Sequence, residues 1–127
     1  PRGAQRGAEV VLTFGGQNLA DAAEVMAFDP GVAVHKVEPA ADGKSVKVTA
    51  KVAPDCRLGE HGFRLRCAGG VSDLRTFWVG ALPAVDEKEP NSEFAKPQPV
   101  PLNSTVHGKV DNEDVDYYAV PFTAPEG

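Results

Sequence analysis

Apolar and polar residues alternate with a period of two along most of this chain, the side-chain period of a β-strand. The cleanest run follows an Asp42-Gly43 turn. Val46, Val48, Ala50 and Val52 fall on one face, Lys47, Thr49 and Lys51 on the other, and Pro54 ends it. Residues 8–14 place Val10, Leu12 and Phe14 together, with Glu9 and Thr13 opposite, before Gly15-Gly16 breaks the pattern. Residues 24–28 read as a short strand closed by Asp29-Pro30-Gly31, and residues 32–38 as another stopped by Pro39. Residues 62–67 alternate again, with Phe63, Leu65 and Cys67 in one phase and Arg64 and Arg66 outward. Gly69-Gly70 then leads into a last strand at 74–79. Leu19 to Met26 is the only stretch with a hint of helical period, and it is too short for a helix. About six or seven short strands separated by frequent turn signals predict a small two-sheet sandwich over residues 1–80.

Beyond Gly80 the pattern thins. Gly80-Ala-Leu-Pro-Ala-Val-Asp-Glu87 reads as a hinge-like linker, and Pro90, Pro97, Pro99 and Pro101 hold the chain extended. Val106 and Val110 share one side of a short strand, with His107 and Lys109 on the other. Tyr118, Val120 and Phe122 share a face of a second. Two or three strands bury too little surface to fold alone, so residues 81–127 are expected to pack on the first domain, to be completed by another chain or, the favoured reading, to be the opening of a larger, truncated domain. The expected class is all-β.

Charge divides the chain the same way. Residues 1–80 hold ten Lys/Arg and nine Asp/Glu, whereas residues 81–127 hold three and nine. Binding to nucleic acid is dominated by Lys and Arg on phosphates, so the acidic tail argues against it and for a cation or a basic partner. No window is apolar enough for a membrane span. No basic n-region with an apolar stretch appears at the start and Pro1 is not an initiator residue, so the sequence is expected to be a mature chain or a fragment from which any export signal has been removed. Frequent glycine and proline suit short strands joined by tight turns.

Candidate chemistry gathers in two oxygen-rich runs, Glu87-Lys-Glu-Pro-Asn-Ser-Glu93 and Asp111-Asn-Glu-Asp-Val-Asp-Tyr-Tyr118. Hard cations such as Ca²⁺ take six to eight oxygen ligands from flexible loops. The alternative is plain: linker charges, and an aspartate capping a turn. Cys56 and Cys67 are read either as a disulfide, with the loop around Cys56 folding back on the strand, or as buried free thiols. They lack the spacing of a zinc site. His35, His61 and His107 show no Ser, Cys or Asp constellation, so catalysis within the chain is not expected. Trp78 reads as core or as a partner anchor, and Arg64, Arg66 and Arg75 as a solvated stripe. Tyr117 points opposite to Tyr118, which leaves one of the pair exposed or against a neighbour. Asn103-Ser-Thr105 matches a glycosylation sequon, which means little if the source is bacterial.

Several of these residues carry a resemblance. Arg6-Gly-Ala-Glu-Val-Val-Leu-Thr-Phe-Gly-Gly-Gln-Asn18-Leu19, Gly59-x-x-Gly-Phe-Arg-Leu65, Gly70-Val-Ser72 and Thr76-Phe-Trp-Val79 resemble an immunoglobulin-like module of the IPT/TIG kind found in bacterial surface and secreted proteins. Glu89-Pro-Asn91, Pro101-Leu102, Val106-x-Gly108 and Asp114-Val-Asp-Tyr-Tyr118 resemble the opening of a bacterial pre-peptidase C-terminal domain. That family is similar to the collagen-binding domains of bacterial collagenases. The resemblance implies an immunoglobulin-like β-sandwich over 1–80, then a linker and a partial jelly-roll-like β-segment over 81–127. It further implies that Glu87, Glu89 and Asn91 from the linker, with Asp114 and Asp116 from the loop, would hold calcium.

The expected role is a non-catalytic accessory region of an exported bacterial protein, secreted, periplasmic or at the cell surface. Its work would be adhesion, spacing or presentation of neighbouring domains of a larger polypeptide. Two alternatives stand beside it: a calcium-dependent module binding a protein or extracellular polymer, and a fragment of a secreted hydrolase whose catalytic domain lies outside this chain.

Overall fold

The computed structural model describes residues 1–109 and 112–123. The chain forms two compact units, Pro1–Ala81 and Leu82–Gly127. Among the described residues all regular structure is β, and no helix is long and apolar enough to cross a membrane.

The first unit contains β1 (Gly3–Gln5), β2 (Glu9–Gly15), β3 (Glu24–Ala27), β4 (Val32–Pro39), β5 (Ser45–Val52), β6 (Gly59–Cys67), β7 (Gly70–Val71) and β8 (Arg75–Gly80). One sheet has the order β2-β5-β4, the other β1-β8-β6-β3 with β7 beside β6. Neighbours are antiparallel, except that β1 runs parallel to β8. The chain changes sheet after β1, β2, β3 and β5, a Greek-key path. This is an immunoglobulin-like sandwich.

The core follows from the alternation. Val46, Val48, Ala50 and Val52 of central strand β5 are all fully buried. From the facing sheet come Val25, Phe63, Leu65, Phe77 and Val79, with the Phe63 and Phe77 rings edge to face at 6.1 Å. Leu12, Leu19, Ala22 and Val32 close the layer. Phe77 and Val79 take the inward positions of β8, so Trp78 turns outward and is 52% exposed; it is not core. The Asp29-Pro30-Gly31 turn needs its glycine. Gly31 has φ +100°, and a Cβ there would lie 2.8 Å from the Cys56 sulfur.

β6 starts at Gly59, three residues before the expected point, and this decides between the two readings of the cysteines. Cys56 precedes the start of β6 and packs on Gly31, while Cys67 is its last residue and pairs with Gly70. At about 3.3 Å per residue the strand separates them by roughly 20 Å, far beyond disulfide reach. Both thiols are free, Cys56 buried and Cys67 half-buried against the core.

Among the described residues the second unit holds four short strands: β9 (Ala84–Asp86), β10 (Gln98–Pro99), β11 (Thr105–His107) and β12 (Tyr118–Ala119). They form two parallel pairs, β9 with β11 and β10 with β12. The Gln98 side chain ties them internally: its Oε1 accepts the Lys88 N–H at 2.8 Å and its Nε2 donates to the Asp86 carbonyl at 3.0 Å. Val110 and Asp111 lie outside the described residues.

Candidate functional site

Backbone pairing in the second unit brings the two acidic runs together. β9 delivers the chain to Glu87, whose N–H donates to the His107 carbonyl at 3.1 Å. Four residues on, the Asn91 carbonyl accepts the Tyr117 N–H at 3.0 Å, which fastens the linker to the loop before β12. As a result Glu87, Glu89 and Asp116 each place one carboxylate oxygen within 4.8 Å of the others. Asn91, 1% exposed, donates through Nδ2 to Glu87 at 3.1 Å, and its N–H donates to Glu89 at 3.2 Å. Asp114 stands outside the group of three, near enough for its charge to act on Asp116.

The carboxylates have different environments. Glu87 accepts the Tyr118 hydroxyl, the Lys109 N–H at 2.7 Å and the Asn91 amide. Those donors, Tyr118 foremost, hold its pKa down at about 2. The same bond pushes the Tyr118 phenol up to about 12. Gly108 permits the approach, since a Cβ there would lie 3.3 Å from Glu87 Oε2. Asp116 goes the other way: burial raises its pKa first, then the charges of Asp114 and Glu87.

Among the described residues, two buried acceptors here, Asn91 Oδ1 and Asp116 Oδ1, have no hydrogen-bond donor. Leaving a buried acceptor unpaired costs about 1–3 kcal/mol. Crowded carboxylates with donorless oxygens are the environment a hard cation relieves, and an all-oxygen set suits calcium rather than zinc. The residues present therefore fit the ion that the resemblance implies.

A second cluster lies in the first unit, where the sequence showed no constellation. His61, 1% exposed, has Nε2 3.8 Å from the Cys56 sulfur and Nδ1 3.5 Å from Asp29. The order resembles a nucleophile, a base and an orienting acid. The hydrogen bonds oppose that use. His61 Nε2 lies 2.7 Å from the Arg57 carbonyl, which only accepts, so this nitrogen carries a hydrogen and cannot take the thiol's proton. Burial also raises the Cys56 pKa, keeping sulfur in its unreactive thiol form. Asp29 is engaged by Arg57 at 3.1 Å. His61 was legible in one respect: it continues the inward phase of Phe63 and Leu65 one step back.

Arg66 pairs with Glu24 at 2.6 Å and Arg64 donates to the Ser72 carbonyl at 3.1 Å, so both brace their own sheet. Tyr117 packs edge to face on Phe94 at 5.7 Å, while Tyr118 is the more exposed of the two. No protein-family model and no curated protein matches this chain.

Proposed function

We propose that this chain is a non-catalytic binding and presentation region of an exported bacterial protein. Its second unit is stiffened by a calcium ion held by Glu87, Glu89 and Asp116, with Asn91 and Asp114 in support. The observation that carries this reading is the pair of buried acceptors, Asn91 Oδ1 and Asp116 Oδ1, that meet no donor among the described residues, beside three carboxylates. The cation would fasten the linker to the loop before β12 and so fix the surface offered to a protein or extracellular polymer. The engaged His61 nitrogen and the protonated Cys56 thiol support a role without chemistry.

Thermal melting in millimolar Ca²⁺ against chelator tests the site. An ion bound only by the folded state stabilises by about 2.7 kcal/mol at a hundred times its dissociation constant, so the midpoint of the second unit should rise. An unchanged midpoint removes the ion from the account.

A further inference from the structure

One long sheet edge of the first unit is open and unguarded. In the sheet β2-β5-β4 both outer strands are edges. β4 carries the usual protections: a register shift between Val34 and Lys36, the charges of Lys36 and Glu38, and a terminal proline, Pro39. β2 has none. It runs in unbroken register with β5, contains neither proline nor lysine, and carries its one charge, Glu9, at the first position.

Two flanking hydrogen bonds set its phase. The Val52 N–H donates to the Ala8 carbonyl at 2.9 Å, and the Gly16 N–H to the Lys44 carbonyl at 2.9 Å. Even-numbered residues therefore bond to β5. The N–H and C=O groups of Glu9, Val11, Thr13 and Gly15 point out of the sheet. Among the described residues no backbone group pairs with them. Along this edge runs a cleft of about 630 Å³, lined in part by Leu12, Phe14, Phe77 and Trp78.

The strand is complementary to itself. An antiparallel second copy with its two-fold axis at Leu12 sets Glu9 opposite Gly15 and Val11 opposite Thr13, so all four open positions of each strand find partners. Any other register leaves at least one unmatched. The single charge falls opposite a glycine, so no like charges meet. On the inner face Leu12 meets its counterpart and Val10 meets Phe14, joining the two apolar layers. Val10 and Phe14 are only partly buried in the single chain. We infer that β2 is the pairing edge of a two-fold homodimer, in which two three-stranded sheets become one of six. This inference is independent of the cation site.

Light scattering after size exclusion, on the full chain under reducing conditions, tests it. The wild type should approach twice the 13.4 kDa chain mass as concentration rises. Val11 and Thr13 are exposed, so replacing both leaves the core intact. Val11→Lys with Thr13→Lys sets like charges opposite each other across the axis, as does Val11→Glu with Thr13→Glu. Each double variant alone should be monomeric, and an equimolar mixture should recover the dimer. A wild type that stays at 13.4 kDa overturns the inference. So does a dimer that survives both double substitutions, or a mixture that stays monomeric when the wild type does not.

Discussion

Glu87 and Asp116 are neighbours whose surroundings push their protons in opposite directions. Glu87 is held at about 2 by the Tyr118 hydroxyl, the Lys109 N–H and Asn91. A carboxylate with a depressed folded pKa contributes stability that is complete above its ordinary value of 4.5 and is lost as pH falls toward 2. Tyr118→Phe removes the largest of these donors, so acid loss of the second unit should begin at higher pH. The chain's two tyrosines both lie in that unit and its single tryptophan in the other, so near-ultraviolet tyrosine dichroism follows the change. Asp116 has the reverse sign. Its raised pKa favours the folded state only while it is protonated, and that contribution disappears as pH rises through the folded value. At neutral pH without an ion its charge opposes folding. Asp116→Asn should therefore raise the calcium-free melting midpoint and abolish the response to calcium. A midpoint that falls, or a calcium response that survives, contradicts this assignment.

At the scale of elements, burial decides what is stable and what was legible. Phe63 is 1% exposed and packs edge to face on Phe77, so Phe63→Ala should cost the first unit about 3–5 kcal/mol, measured by denaturant unfolding. Strands long enough for period two to repeat, such as β5, could be read from the chain directly. The alternation over residues 62–67 gives a strand three residues short at its start, although His61 keeps the inward phase one step further back. β1, β9 and β10 span two or three residues each, too few for a period to show; β11 and β12 are as short, and the alternation expected over Tyr118, Val120 and Phe122 runs past the end of β12. They exist only through parallel partners distant in the chain, as Gly3 pairs with Trp78. The cysteines turn on the same length of β6. One thiol per native chain, Cys67, should alkylate readily and both after unfolding, as counted by intact mass. A native mass short by two hydrogens would contradict the separation.

At the scale of the whole molecule, the acidic runs were visible as composition, but their meeting was not. It depends on β9 pairing with β11 and on the Tyr117 bond to Asn91, contacts that no local pattern encodes. For the same reason the burial of Asn91 and the donors Tyr118 and Lys109 came from the fold alone. The resemblance had marked all five candidate ligands, and the structure groups Glu87, Glu89 and Asp116 tightly while leaving Asp114 at the margin. The central claim is that a hard cation occupies this group. Terbium replaces calcium at oxygen sites and emits when a nearby tyrosine transfers excitation to it. Titrating the chain with terbium should give saturable emission excited through tyrosine, displaced by calcium and absent from Asp116→Asn. Emission that never saturates, that calcium fails to displace or that persists in the variant would contradict the account.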